Sequence, residues 1–200
     1  MCSECGAGWT LPLASSDELA SYYPPSYGYL VDRGGLGVIQ RAVQKLFFRY
    51  AVARRPWRTL EQRTPGRVLD VGCGRGDLGA ALISQGWRVD GVDPSPGAVE
   101  FARARGVDAQ TGTLETVAHD NASFDAVVMR HSLEHVPDPL GDLKRIYRLL
   151  RPGGLLLISL PNFDSWERRR FGASWFHLDL PRHRTHFGPR SLRLALQKSE

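Results

Sequence analysis

Residues 68–77 read Val68-Leu69-Asp70-Val71-Gly72-Cys73-Gly74-Arg75-Gly76-Asp77. An apolar segment typical of a buried strand runs directly into closely spaced glycines, and a helical pattern follows. Glycines at such a junction let backbone groups at the carboxyl end of the strand approach a ligand without intervening side chains. The stretch therefore predicts a nucleotide-type binding loop between a strand and a helix.

Acidic side chains flank this loop and restrict the kind of ligand it can hold. A dinucleotide-binding loop usually has a third glycine three residues after the second, where a pyrophosphate meets the helix N-terminus. The sequence has Asp77 at that position, and Asp70 lies just before the first glycine. The two carboxylates favour a ligand that carries positive charge and no phosphate. They therefore argue against a nicotinamide-dependent oxidoreductase.

Asp93 ends the next apolar run, about twenty residues after the loop. A carboxylate at this place in an α/β fold can accept hydrogen bonds from both ribose hydroxyls of a nucleoside ligand. The alternative is a tight turn that binds nothing, with Asp70 holding the loop in place. The glycine loop and Asp93 both have the spacing and the order along the chain that a nucleoside-binding site requires, which favours the ligand site over the turn.

The region around the loop alternates strand-like apolar runs with helical segments. This alternation predicts the α/β class with a Rossmann-like, doubly wound and mostly parallel sheet. The predicted strands are 67–71, 88–92, 107–111, 124–129 and 155–160, and the predicted helices are 78–85, 96–105 and 139–150.

These motifs resemble those of the class I S-adenosylmethionine (SAM)-dependent methyltransferases, in particular the branch that acts on small molecules. SAM carries an ammonium and a sulfonium group and no phosphate. The resemblance covers about residues 66–161, and near His135 it is locally similar to the ubiquinone-pathway O-methyltransferases. The family often has an acid where this chain has Thr113. The motifs that carry the resemblance are 68–77, Asp93, 112–115, 124–128, 133–136 and 149–154, the last of which is predicted to form the turn before the fifth strand.

The resemblance implies a SAM site at the carboxyl ends of the strands, with Leu114 flanking the adenine ring. The implied cofactor-binding residues are Asp70, Gly72, Gly74, Asp93, Pro94, Thr113, Leu114, Glu115 and His131.

His135 and His131 are the predicted catalytic residues, because they follow the fourth strand at the edge of the sheet where substrates bind. Methyl transfer from a sulfonium is an in-line displacement, so the protein mainly aligns the reacting atoms. A base is needed only when the acceptor must lose a proton, and His135 is the first choice because histidine titrates near neutral pH. A structural or SAM-positioning role for Glu134 and His135 remains an open alternative.

In the ubiquinone-pathway enzymes, acids and the histidine of this segment are thought to hold a divalent metal. This chain has His131 where an acid is expected, so the corresponding cluster would be His131, Glu134 and His135. Carboxylate and imidazole groups near each other more often bond to the protein, and we therefore assign no metal ligand.

Residues 175–187 resemble a block that covers the active site in many of these enzymes. The predicted substrate-binding residues are Trp175, Arg182, His183 and His186, which suit an acidic, sugar-like or carrier-linked acceptor. The alternative is a basic surface loop in which Trp175 and Phe176 are buried as core.

The sequence divides into an N-terminal extension, 1–63, and a SAM-binding methyltransferase domain, 64–200. The extension contains Cys2 and Cys5, half of a zinc ribbon in its spacing, and a predicted amphipathic helix over 36–55. Zinc at this pair is a secondary expectation. The class usually ends with a strand hairpin after its last helix, and the sequence ends at Glu200, so we expect that hairpin to be missing.

Composition fits a globular chain of 200 residues, with 24% charged and 42% hydrophobic residues. No apolar run is long enough to span a membrane and no signal peptide is recognisable, so a cytoplasmic location is expected by default. The net charge of +5 permits an anionic partner, but the motif that grips a flipped base is absent after the fourth strand, which argues against nucleic acid as the partner. The prediction is a SAM-dependent methyltransferase of a small molecule, with oxygen favoured over carbon or nitrogen. Its rivals are a nucleic-acid methyltransferase and a non-catalytic SAM-binding protein.

Overall fold

The computed structural model describes residues 1–15, 18, 21, 22 and 58–200. The helix predicted over 36–55 lies outside these residues. The described strands are β1 (Gly8–Trp9), β2 (Arg67–Val71), β3 (Arg88–Asp93), β4 (Asp108–Thr111), β5 (Phe124–Arg130), β6 (Leu150–Ser159) and β7 (Thr185–His186). The described helices are α1 (Arg58–Glu61), α2 (Asp77–Ile83), α3 (Pro96–Arg103), α4 (Pro139–Leu149), α5 (Trp166–Phe171) and α6 (Pro189–Gln197).

The main sheet contains five parallel strands in the order β4-β3-β2-β5-β6. Val71 at the end of β2 pairs with Val92 on one side and Met129 on the other. The chain winds from β2 to one edge and then returns to β5, so the sheet is doubly wound as predicted. The carboxyl ends of β2, β3 and β5 consequently meet at one edge, which in open α/β sheets is the edge that binds ligands.

Local sequence signals explain where the crossover helices begin. The Ser95 hydroxyl accepts a hydrogen bond from the Ala98 amide, and Pro96 occupies the first turn of α3. Asp138 caps α4 in the same way through the Gly141 amide, again with a proline next to it. The alternating apolar residues of the central strands then divide between two core layers, with Val68 facing one and Leu69 the other.

The start of β6 differs from the prediction. The strand begins at Leu150 rather than 155, because Phe124 pairs with Leu150 and Ala126 already pairs with Leu155. Residues 151–154, predicted to be a turn before the strand, therefore form an irregularity within it, and Gly153 has a φ of +77° there. The three helices predicted between the strands and the other four predicted strands lie within two residues of their predicted bounds.

The N-terminal segment is attached to the methyltransferase region by a second, two-stranded sheet. Gly8 and Trp9 in β1 pair antiparallel with His186 and Thr185 in β7. A side chain at Gly8 would meet the Phe163 ring at 3.0 Å, so glycine allows this close approach. The extension predicted as a separate unit therefore contributes a strand next to residues predicted to bind substrate.

At the other end of the described chain, β6 is an outer strand of the main sheet and α6 packs near α4. None of the described helices combines the length and the apolar character needed to span a bilayer.

Candidate active site

The glycine loop between β2 and α2 is fastened to the neighbouring strand. The amides of Gly72 and Cys73 both donate to the carbonyl oxygen of Val92, at 2.8 and 3.1 Å. Gly72 has a φ of +76°, and an added Cβ would lie 2.7 Å from the Cβ of Ser132. Only glycine fits there, because both the backbone conformation and the space exclude a side chain.

Asp93 ties the same loop to the start of α3. One carboxylate oxygen accepts the Gly74 amide at 2.9 Å, and the other accepts the Ser95 amide at 2.9 Å. Burial raises the pKa of Asp93, and the two amide bonds oppose that shift. Each oxygen keeps a second lone pair, so the carboxylate can hold the loop and still accept ligand hydroxyls.

Asp70 is buried beneath the loop, with 1% of its surface exposed. Neither of its carboxylate oxygens has a hydrogen-bond partner among the described residues. Burial raises its pKa to about 6, against a lowering influence from Arg130. A buried acid without a partner is costly to keep ionised, so this position favours a cationic ligand group.

A cluster of Glu134, His135 and His183, the histidine centre, follows β5 at the same edge of the sheet. Glu134 and His183 are buried, and the rings of His135 and His183 meet edge to face at 4.6 Å between centroids. Backbone bonds hold the two segments together, since the amides of Arg184 and Thr185 both donate to the carbonyl of Glu134. The cofactor loop and a buried polar cluster thus share one edge.

Sequence comparison decides the family. A family model described as a methyltransferase domain matches residues 40–200. The chain belongs to this methyltransferase family. With the glycine loop and the parallel sheet, this makes it a class I SAM-dependent methyltransferase, as the sequence motifs indicated.

Individual relatives agree with this assignment. An enzyme named ubiquinone biosynthesis O-methyltransferase from Xanthomonas oryzae pv. oryzae is 38% identical over 130 residues, which are 60% of this chain and 54% of that one. An enzyme of the same name from Xylella fastidiosa is 40% identical over 113 residues, 52% of this chain and 46% of that one. The chain spans about half the length of the curated relatives it matches.

A solved structure from Thermotoga maritima extends the likeness over more of the fold. It is described as a SAM-dependent methyltransferase and possible histamine N-methyltransferase. It has a TM-score of 0.58 and 28% identity, and the match covers 80% of this chain and 77% of that one.

The remaining predicted cofactor residues of this methyltransferase have varied surroundings. Leu114 packs in the core with 6% exposed, so its side chain is mostly covered by protein. Thr113 is exposed, and its hydroxyl and amide bond within its own turn. Glu115 lies 3.7 Å from Arg145, and Pro94 is exposed immediately after β3.

His131 immediately follows the last residue of β5, with a φ of +52° and a side chain that is 54% exposed. Its Nδ1 atom lies 3.4 Å from the Oε1 atom of Glu134, although the two do not have hydrogen-bond geometry. His131 is therefore accessible at this edge. His135, the first choice from sequence, is largely covered, and burial lowers its pKa.

The segment 175–187 brings only some of its predicted substrate residues to the histidine centre. His183 belongs to the centre, and the guanidinium of Arg182 bonds to Asp179. Trp175 is 6% exposed and packs near Phe163, whereas the neighbouring Phe176 is 86% exposed. The alternative in which both aromatic residues are buried is thus wrong for Phe176.

The ring of His186 lies 6.4 Å from that of His183 and stacks on the ring of Phe163 at 5.1 Å, both distances being between centroids. Burial lowers its pKa to about 4, so the ring is neutral near pH 7. Its Nε2 atom is 3.1 Å from the hydroxyl of Thr10, which also donates to the carbonyl of His183 at 2.5 Å. Sequence reasoning missed Thr10, because it belongs to no motif and its partners His183 and His186 are distant along the chain. It also missed Asp179, although this residue lies within the 175–187 segment and contacts Arg182 and His183 there.

Two groups of side chains offer metal ligands. Among the described residues, one set of three meets the geometry of a metal site, namely Glu134, His135 and His183, whose ligand atoms lie within 4.8 Å of one another. Cys2 and Cys5 offer two thiols, and amides of Cys5 and Glu4 lower the pKa of Cys2. A tetrahedral zinc site takes four ligands, and no further ligand groups with this pair in the described chain.

Proposed function

We propose that this protein transfers the methyl group of SAM to a hydroxyl group of a small-molecule acceptor. The observation that carries the proposal is the juxtaposition of an acid-flanked glycine loop and a buried histidine centre at one edge of the sheet. The named O-methyltransferase relatives support oxygen as the accepting atom.

SAM would lie over the glycine loop with its charges matched to the acids. The carboxylate of Asp93 would accept the ribose hydroxyls, and Asp70 would offset the positive charge of the methionine portion. At Gly74 no atom lies within 4 Å of the place where a Cβ would be, which leaves room for close approach of a ligand. Methyl transfer then depends on holding the acceptor oxygen in line with the methyl carbon and sulfur.

The acceptor proton would pass to His131. The acceptor oxygen forms a bond to the methyl carbon, the carbon–sulfur bond breaks, and the proton moves to the imidazole. His131 is exposed at the edge of the sheet, where an acceptor can reach it, and the Oε1 atom of Glu134 lies 3.4 Å from its Nδ1 atom. This assignment prefers His131 to His135, because the ring of His135 lies within the centre.

The decisive test is calorimetric titration of the protein with SAM, its demethylated product and NAD. We expect selective binding of the first two and a loss of more than about tenfold in affinity for Asp93→Ala, because charge-assisted hydrogen bonds contribute about 1.5–3 kcal/mol. Asp108→Ala is the matched control, since Asp108 is an exposed aspartate at the start of β4. Equal affinity for NAD, or no SAM binding by the folded protein, contradicts the proposal.

Turnover is then measured as release of the demethylated product with acidic, sugar-like and carrier-linked hydroxyl compounds as acceptors. His131→Gln should lower kcat and leave SAM affinity within about threefold, because alignment is kept while the base is lost. His119→Gln provides a control, since His119 lies near Asp90 and Asp108 and away from the cofactor edge. An unchanged kcat for His131→Gln would remove the proposed base.

A further inference from the structure

Thr10 connects the N-terminal segment to two histidines that are predicted to bind substrate. Its amide donates to the carbonyl oxygen of Arg184 at 3.0 Å, and its hydroxyl donates to that of His183 at 2.5 Å. The same hydroxyl oxygen lies 3.1 Å from the Nε2 atom of His186. These contacts continue the pairing of β1 with β7. A residue outside the family motifs therefore contacts two residues of the predicted acceptor site.

The hydrogen bonds of Thr10 determine which nitrogen of the His186 ring carries the hydrogen. A threonine hydroxyl has one hydrogen, and the carbonyl of His183 can only accept, so that hydrogen lies between these two groups. The Nε2 atom of His186 must then donate to the hydroxyl oxygen. Because burial lowers the pKa of His186 to about 4, the ring is neutral near pH 7 and its Nδ1 atom keeps a lone pair. Thr10 thus holds the ring by its Nε2–H group.

The backbone that Thr10 holds is bound on its other side to the segment after β5. The amides of Arg184 and Thr185 donate to the carbonyl oxygen of Glu134 at 2.8 and 3.1 Å. Residues 183–185 are therefore hydrogen-bonded both to the N-terminal segment and to the edge of the sheet that carries the glycine loop. Loss of the bonds on the Thr10 side would let this stretch move relative to that edge.

We propose that Thr10 is a positioning residue of the acceptor site. It acts through His183, whose backbone it holds in place, and through His186, whose Nε2 atom donates to its hydroxyl. The part played in acceptor binding rests on the proposed function, whereas the bonding of the histidine ring can be tested without any acceptor. Misplacement by about 1 Å can lower a rate 10²-fold, so the acceptor should respond to a change at Thr10 without touching it. The acceptor site would then include a segment outside the predicted SAM-binding domain, 64–200.

Nuclear magnetic resonance of protein labelled with ¹⁵N-histidine tests the bond to His186 at pH 7. The ring signals of this residue are identified by their absence from His186→Gln. We expect the ring hydrogen on Nε2, with a resonance in wild-type protein and in Thr10→Ser, and loss of that resonance by exchange with water in Thr10→Val. Thr64→Val is the matched control, since Thr64 is exposed and precedes the amino end of β2. A hydrogen on Nδ1 in the wild-type protein, or an unchanged Nε2–H resonance in Thr10→Val, would overturn the proposal.

Steady-state kinetics test the role in acceptor binding, with the hydroxyl compound of the panel above that wild-type protein methylates fastest. Thr10→Val should raise the KM for this compound about tenfold, and Thr10→Ser should restore it, because serine keeps the hydroxyl. SAM affinity, measured by calorimetry, should stay within about threefold, since the bonds of the Thr10 hydroxyl are made to His183 and His186. Thr64→Val should leave both quantities unchanged.

An unchanged KM in Thr10→Val would overturn the proposal. A loss of SAM affinity as large as the rise in KM would also overturn it, because it would assign Thr10 a purely structural role. Absence of methyl transfer by wild-type protein with every compound of the panel contradicts the proposed function instead. The Nε2–H resonance of His186 then decides the proposal by itself.

Discussion

Substitution of Gly72 by alanine should destabilise the protein more than the same substitution at Gly74. Both glycines have positive φ, +76° and +53°, so either alanine adopts a left-handed conformation that costs about 1–2 kcal/mol. At Gly74 an added Cβ has no neighbour within 4 Å, whereas at Gly72 it lies 2.7 Å from the Cβ of Ser132. Overpacking of this kind adds about 1–3 kcal/mol. We therefore expect about 2–5 kcal/mol for Gly72→Ala and about 1–2 kcal/mol for Gly74→Ala.

A double-mutant cycle isolates the contact with Ser132. Free energies of unfolding are measured in urea for Gly72→Ala, Ser132→Gly and the double variant without ligand. Ser132→Gly removes the atoms at 2.7 and 3.4 Å and leaves the Cα atom at 3.9 Å, so the double variant should recover the steric part of the loss. Equal destabilisation by Gly72→Ala and Gly74→Ala would refute the reasoning that contact with Ser132 excludes a side chain at Gly72. Absence of coupling between the two substitutions in the cycle would refute it as well.

Two further predictions concern the acid under the loop and the N-terminal strand. The pKa of Asp70 is about 6 in the folded protein and ordinary when unfolded, so the unfolded state loses its proton first. Stability therefore falls by about 3 kcal/mol as pH rises from about 3 to about 7. Asp70→Asn should remove this loss and be more stable than the wild-type protein at pH 7. The free energies of unfolding of both proteins are measured in urea across this pH range, and a parallel change of the two with pH would contradict the prediction. Thr10→Val should cost about 1–3 kcal/mol, because the carbonyl of His183 and the ring of His186 lose their bonds to its hydroxyl. Faster amide exchange at Gly8 should accompany it, and unchanged exchange would show that β1 does not depend on these bonds.

Much of the fold could be predicted from sequence because its signals are local. The strand and glycines of 68–77 and the acid at Asp93 are close along the chain, and parallel strands then place them at one edge. The prediction failed at 151–154, where the proline and two glycines suggest a turn. In the structure the partner strand β5 holds these residues within an irregular part of β6.

The histidine centre could be predicted only in part, because its members come from distant segments. The ring of His135 contacts the carbonyl of Arg182, which is 47 positions away in the sequence. The hydroxyl of Thr10 bonds to the carbonyl of His183, which is 173 positions away. No periodicity or spacing connects such residues, so sequence motifs indicated Glu134 and His135 but selected His131 as their neighbour. The pairing of β1 with β7 was missed for the same reason, since a two-residue strand has no recognisable pattern.

Asp70 and Glu134 are two energetically unfavourable groups at the same edge of the sheet. Both are buried acids whose oxygens have no hydrogen-bond partner among the described residues. Asp70 lies near the end of β2, and Glu134 follows the adjacent strand β5. A sequence selected for stability alone would replace such groups, because each destabilises the unliganded protein when ionised. Ligands that bring positive charge recover this energy on binding, since whatever binds only the folded state stabilises it. The two buried acids thus mark two places at this edge where a positively charged ligand group would stabilise the folded protein.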